Sequence, residues 1–327
     1  MNDSIENLIK SNSKKISKTE ILCVGDMILD QYIYGKVERM SPEAPVPILS
    51  IKEENFQLGG VGNVARNISN LGGRANIISL IGNDISSKYI EKLIKKEKNL
   101  KYDFVVDKDY STPLKMRFLN NFTQLLRADK EKVRSKSQSS IIKSIKNKIK
   151  KNIEHCDAII ISDYKKGLIT KELIKEIVKL AKKNKKIILA DPKSKDFKIY
   201  EGVDFLTPNQ KELSEATNNF IISEKEAVES GRQIIRQCKI SNVLVTRSEK
   251  GMILINNKNF KNFPTLAKEI YDVSGAGDTV IAVLAIMIAS GFDIDTSVLL
   301  SNHAAGIVVG KKGTAVTTQE EMIKFFR

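Results

Sequence analysis

Short apolar runs alternate with amphipathic stretches almost from end to end of this sequence, and few folds accept that rhythm. "ILCVGDMILD" (21–30) reads as a strand, "GNVARNISNLGG" (62–73) as a helix ending in glycines, and "NIISLIG" (76–82) as a strand again. "AIIISD" (158–163), "KIILAD" (186–191), "DFLTPN" (204–209) and "NVLVTRS" (242–248) continue the strand series, with the helix "KELIKEIVKLAKK" (171–183) among them. Strands that are apolar at every position need cover on both faces. The pattern therefore predicts an α/β fold with a mainly parallel central sheet between two layers of helices. Two segments break the rhythm, 31–58 and 103–128, which alternate without a helix. They predict extra strands forming a small projecting sheet, suited to a lid or a subunit contact. Residues 1–18 are polar and predict a loosely held leader, leaving 19–327 as one domain of ample core size.

The charge balance excludes less than it first suggests. Fifty-four basic against 39 acidic residues give a net +15, yet the lysines are spread along the chain. In the densest run, Ile141, Ile145, Ile149 and Ile153 recur every four residues, which marks one buried helix face with lysines on the other. No nucleic-acid motif accompanies the charge, so a solvated basic face is the expectation and nucleic acid is not an expected partner. A positive field would help to collect anionic substrates. The three cysteines form no C-x-x-C pair, which argues against a zinc site or a disulfide framework. Only His155 and His303 could serve a mechanism that needs histidine. The opening residues lack the apolar core of a signal peptide, and the longest apolar run, Val280–Ala289, is too short to span a bilayer. A cytoplasmic protein without a membrane partner is expected.

Chemistry concentrates at "DVSGAGDTV" (272–280), just before that apolar run. Gly275 and Gly277 let the backbone pass close to a ligand, and a helix starting there would turn free N–H groups and its dipole towards an anion. Asp278 in the first turn could accept a proton from an attacking hydroxyl, or could only complement the helix dipole. Spacing alone leaves both readings open. A rival phosphate signal is "GGVGNVA" (59–65), where Gly60, Gly62 and Ala65 fit the dinucleotide fingerprint and Asp84 follows about twenty residues on. That reading would make the protein an NAD(P)-dependent dehydrogenase, but a proline-rich excursion separates the glycines from the first strand. No P-loop is present. Polar residues also stand at the ends of expected strands: Asp26, Asp30, Asp163, Lys166, Asp191, Lys193, Asn209, Glu212, Thr246 and Arg247. Singly each could be a cap or turn residue. Together they suggest a polar cleft along one edge of the sheet.

With "GGVGNVARNISNLGG", "TPNQKE" and "DVSGAGDTV" in that order, the chain resembles the ribokinase-like (PfkB) carbohydrate kinases from about Ile21 to its end. Within them, "GDMILDQYIYGKVERMSPEAPVPIL", "QLLRADKE", "SDYKKGLI", "DPKSKDF" and "NHAAGIVVGKKGTA" look like the D-glycero-D-manno-heptose 7-phosphate kinases. The resemblance implies a Rossmann-type core with a β-lid, ATP and Mg²⁺, and phosphorylation of the sugar phosphate at its C1 hydroxyl on the way to ADP-heptose and lipopolysaccharide. It gives the early glycines to the sugar rather than to a dinucleotide. It implies Asp278 as catalytic base with Gly275, Ala276 and Gly277 as anion hole. Asn209 and Glu212 match the motif that organises Mg²⁺ and phosphate, Glu212 acting on the metal through water. Thr246, Gly251 and Asn302 match nucleotide-side positions, and Asp30, Gly59, Gly60 and Asn63 sugar-side positions. Lys166, with Lys115, Arg117 and Lys193, are candidates for the 7-phosphate. A homodimer through the lid is implied. The H-x-G-H motif of a fused nucleotidyltransferase is absent, so the chain is expected to be a stand-alone kinase or the kinase half of a longer protein. Another sugar kinase of this fold and a non-catalytic sugar sensor remain alternatives.

Overall fold

A computed structural model describes residues 2–121, 123–132, 139–267 and 270–325. Met1 of the expected leader, Phe122 of the expected second sheet, and 133–138, 268–269 and 326–327 of the expected domain lie outside the described residues. In chain order the elements are α1 (Asn2–Lys18), β1 (Glu20–Gly25), β2 (Met27–Met40), β3 (Pro47–Gly60), α2 (Val61–Asn70), β4 (Arg74–Ile78), β5 (Leu80–Gly82) and α3 (Ile85–Ile94). Then follow β6 (Leu100–Tyr102), β7 (Val105–Asp107), β8 (Leu114–Asn120), β9 (Thr123–Lys130), α4 (Ser139–Asn152), β10 (Ala158–Ser162), α5 (Lys171–Lys183) and β11 (Ile187–Asp191). The last third holds β12 (Phe205–Leu206), α6 (Gln210–Thr217), α7 (Glu224–Cys238), β13 (Asn242–Thr246), β14 (Met252–Asn256), β15 (Phe260–Phe263), α8 (Ala276–Ala289), α9 (Ile294–Val308) and α10 (Gln319–Phe325).

Nine strands form the main sheet in the order β15-β14-β13-β12-β11-β10-β1-β4-β6. All pairings from β6 across to β13 are parallel, and only the pairings of β14, with β13 and with β15, are antiparallel. The expected α/β class is present, and the strand pleat explains it. Ile21 and Cys23 of β1 enter one core beside α2, α8 and α9, whereas Leu22 and Val24 enter the other beside α4, α5 and α7. Two-sided burial requires apolar residues at every position, which is why these strands read as unbroken runs. Residues Asp278 to Met287 of α8 are buried throughout, the fate of the longest apolar run. Ile141, Ile145, Ile149 and Ile153 are buried as their spacing predicts. Cys23, Cys156 and Cys238 are buried and unpaired.

The second sheet has the order β3-β2-β8-β9. Its bounds differ from expectation: β2 and β3 begin and end closer to the main sheet, and 103–113 do not join it. There, β7 pairs with β5 in a two-stranded sheet instead. The leader is corrected outright. Residues 2–18 are a helix whose Ile9 and Ile16 are fully buried in the main core, with α1 packed beside α10. Leu8, Ile9 and Ile16 pack against that core, and hydrophobic burial outweighs the polar composition of the rest.

Candidate active site

The strands β1, β10, β11, β12 and β13 all end at the same edge, so the residues just beyond them converge, as ligand sites in open α/β sheets do. Asp26 follows β1, Asp163 and Tyr164 follow β10, Asp191 closes β11, and Asn209 stands beyond β12, paired by a bridge with Thr246 at the end of β13. Against this edge lies the N-terminus of α8. Its cap, Gly275, has φ 81°, a left-handed conformation that disfavours any side chain. Asp278 sits in the first turn and is 2% exposed. Asn63 Nδ2 donates to its Oδ2 at 2.8 Å, and Tyr164 O–H donates to its Oδ1 at 2.7 Å. Burial pushes the carboxyl up to about 6, and these two hydrogen bonds pull against that rise. Ala276 N–H is spent on Val273 carbonyl. Among the described residues, no partner is found for the N–H groups of Gly275, Gly277 and Asp278. The N–H groups without a partner are thus these three, whereas the expected anion-hole set is Gly275, Ala276 and Gly277.

A cavity of about 700 Å³ opens beside that helix end. All five expected nucleotide-side residues line it: Asn209, Glu212, Thr246, Gly251 and Asn302. Asn209 and Glu212 form a reciprocal capping box at the start of α6, each accepting from the other's backbone N–H at 2.8 Å. The other oxygen of Glu212 receives Lys193 Nζ at 2.6 Å. Asn302 Nδ2 is held by the Pro264 carbonyl at 2.7 Å. Lys193 thus lines the same cavity as Asn209 and Glu212. Burial opposes its charge, but Asp191 and Glu212 more than offset this and hold the ammonium above its ordinary range. Burial also pushes Asp191 up to about 7, with Lys193 acting the other way.

The opposite wall of the site is the inner face of the second sheet. Asp30 on β2 is 3% exposed and paired with Arg117 of β8 at 2.5 Å. Gly59 on β3 lies directly against Asp30, where a Cβ would sit 2.2 Å from its Oδ2. Lys115 is next to Arg117 along the same face of β8 and opposite Asp30. Burial lowers the pKa of Lys115, Asp30 raises it, and Lys166, Arg117 and Arg127 lower it further. Lys166 is paired with Glu131 at 2.5 Å. The structure thus brings Lys115 and Arg117 together at Asp30, with Lys166 near Lys115, and Asn63 reaches from α2 to Asp278. Asn63 Oδ1 is buried without a partner among the described residues.

Sequence reasoning missed Tyr164, although it lies in "SDYKKG" between two residues that were singled out. The signal was its position directly after a central strand. Asp26 fixes this loop by accepting from the N–H groups of Tyr164 and Lys166, at 2.8 and 3.1 Å. The dinucleotide reading fails on geometry. Gly60 caps α2 against the Asp26 carbonyl, and both carboxylate oxygens of Asp84 are occupied by Ser87 N–H and Thr112 N–H.

Residues 18–321 match the model of the pfkB family carbohydrate kinases, and the chain belongs to that family. The family is one of sugar kinases. It is 40% identical over 311 residues to the bifunctional protein HldE of Paramagnetospirillum magneticum, covering 95% of this chain and 64% of the relative. The bifunctional protein HldE of Aliarcobacter butzleri is also 40% identical, over 308 residues, with 94% and 64% covered. The chain thus spans less than two thirds of the length of these relatives. Among solved structures, phosphofructokinase-2 from Escherichia coli with potassium superposes with a TM-score of 0.78 at 18% identity, covering 94% of this chain and 98% of the other. A ribokinase of Arabidopsis thaliana complexed with ribose and ATP gives 0.72 at 17%, covering 94% and 99%. These two share the fold. Among the described residues, no helix is long and apolar enough to cross a membrane.

Proposed function

We propose that this chain transfers the γ-phosphoryl group of ATP to the C1 hydroxyl of D-glycero-D-manno-heptose 7-phosphate, giving the 1,7-bisphosphate. The observation that carries the reading is the position of Asp278, a fixed carboxylate between a nucleotide-sized cavity and a wall of cations. ATP fits the cavity with its phosphates towards α8. Asp278 takes the proton of the attacking hydroxyl, and the free N–H groups of Gly275, Gly277 and Asp278 stabilise charge on the moving phosphoryl oxygens. Transfer is direct, with no phospho-enzyme. Lys115, Arg117 and Lys166 hold the sugar's own phosphate, while Asp30 and Asn63 orient its hydroxyls; the unpartnered Asn63 Oδ1 supplies an acceptor there. Lys115, Arg117 and Lys166 outnumber the carboxylates Asp30 and Glu131 that pair with them, and the phosphate of the sugar would meet that excess of positive charge.

Mg²⁺ binds proteins through one or two carboxylates and keeps several waters. Glu212 and Asp191 in the cavity fit that demand, and because both Glu212 oxygens are engaged, Glu212 with Asn209 acts through water. When bound, the ion neutralises charge on the nucleotide's phosphates. Met40, Val46, Ile51, Leu125 and Leu126 expose apolar surface on and around the second sheet, which supports a homodimer through that sheet, working as a lid that excludes water. The reading places the enzyme in the cytoplasm, supplying a nucleotidyltransferase that is fused to it or separate. The test is ADP release from Mg-ATP with the heptose 7-phosphate beside ribose, fructose and fructose 6-phosphate. Turnover confined to the heptose phosphate is expected. Turnover only on another sugar would discard the substrate, and no turnover on any would favour a sensor.

A further inference from the structure

We infer that Tyr164 is a positioning residue for the base, setting both the orientation and the charge of Asp278. The inference rests on the kinase reading of this site. Its phenol donates to Asp278 Oδ1 at 2.7 Å while Asn63 holds Oδ2 at 2.8 Å, so the carboxylate is gripped at both oxygens and cannot rotate. Each oxygen keeps one further lone pair, and the grip decides where those lone pairs point. The grip is itself rigid. Tyr164 N–H is anchored on the buried Asp26, whose carboxylate also collects Lys166 N–H and Leu168 N–H.

The ring of the same residue has a second duty. Lys115 Nζ from the second sheet lies 5.3 Å from its centroid, and Lys193 Nζ from the loop after β11 lies 5.6 Å from it. One aromatic ring thus carries a cation from the sugar side and a cation from the nucleotide side. Tyr164 stands where the two substrates meet, touching the base with its hydroxyl and the flanking lysines with its face.

The groups facing Asp278 show what the hydroxyl does to charge. Asp191 of β11 and Asp30 of β2 disfavour ionisation, Lys193 favours it, and Asn63 and Tyr164 favour it by hydrogen bonding. Burial and the charge of Asp278 push the phenol well above its ordinary value, so Tyr164 stays a neutral donor. Removing that donor destabilises the carboxylate and raises its pKa. The acid limb of the rate profile then moves to higher pH.

The test compares Tyr164→Phe and Tyr164→Leu with the parent protein. Tyr164→Phe keeps the ring and loses only the hydroxyl. Its acid limb in kcat against pH is expected to rise by about one pH unit, with kcat at pH 7 down about twofold and recovering at high pH, and with KM for both substrates within about twofold. Tyr164→Leu is expected to raise the KM values as well, because the lysines lose their platform. Alongside, the carboxyl titration of Asp278 is followed by ¹³C NMR, assigned with Asp278→Asn, in the parent and in Tyr164→Phe. An unmoved midpoint would overturn the inference whether or not any sugar is turned over. An active parent with an indifferent Tyr164→Phe variant would overturn it too, leaving the kinase reading intact. An inactive parent with a shifted midpoint would sustain the role of Tyr164 and count against the substrate reading alone.

Discussion

Replacing Gly277 with alanine should make the protein slightly more stable and nearly inactive. A Cβ built at Gly277 meets nothing within 4 Å, and the residue is helical, without the positive φ that would strain a side chain. Alanine loses less backbone entropy than glycine on entering a helix, so folding gains roughly 0.5 kcal/mol or somewhat more. In a chain of this size that is a rise of about 1–2 °C in Tm. The same empty space is where the moving phosphoryl group must come to reach the Gly277 and Asp278 N–H groups. A methyl there blocks the approach, and losing one oxyanion donor of this kind costs about 2.7–4 kcal/mol, a hundredfold to a thousandfold in kcat. Thermal melts and steady-state ADP release on one preparation measure both quantities. Stability and activity should move in opposite directions. A Gly277→Ala variant with parental kcat would refute the reasoning, because the transferred group would then not pass over this helix end.

Asp278→Asn should lower turnover by about a thousandfold or more while sparing nucleotide affinity, read by ADP release and a binding titration. Because the folded carboxyl is raised to about 6 from an ordinary 3.8, activity in the parent should fall as pH drops through about 6. For stability the sign is reversed: a raised pKa favours the fold below the ordinary value and is lost as pH rises through 6. The Asn variant should therefore gain up to about 3 kcal/mol over the parent at pH 7.5, converging near pH 4 in melts. Arg117→Met strands the buried Asp30 charge and should cost about 3–5 kcal/mol, partly restored by adding Asp30→Asn, as chemical denaturation would show. Ile16→Ala should cost about 2–5 kcal/mol in the same assay, whereas a frayed leader would tolerate it.

Most of the central sheet could be read because its strands are buried on both faces, a demand that leaves an unbroken apolar signature in "AIIIS" or "IILAD". The helix end at Gly275 was equally plain, since two glycines and an acid before a long apolar run have few uses. The first helix was hidden by dilution. Leu8, Ile9 and Ile16 sit among lysines, serines and asparagines, and only the tertiary contact with the main core reveals which face counts. The surroundings of Lys193 were hidden for a different reason. Its charge suits any phosphate, and only the folded partners, Asp191 and Glu212, decide which one it meets. Tyr164 left little trace because an aromatic residue beside a strand end usually means packing. Its hydroxyl matters only once α8 brings Asp278, more than a hundred positions later in the chain, within 2.7 Å.

The three buried cysteines have a use that their inertness creates. Burial pushes the Cys238 thiol up to about 11 and the Cys156 thiol up to about 12, and raises Cys23 further still. A thiol reagent reacts with the thiolate, so native molecules should be silent to it. Labelling can then begin only when the structure around a given sulfur opens. Cys23 lies in a central strand, Cys156 just before β10, and Cys238 at the end of α7. The chain therefore carries three clocks, Cys23 timing the opening of one core and Cys156 and Cys238 that of two places in the other, without any engineered probe.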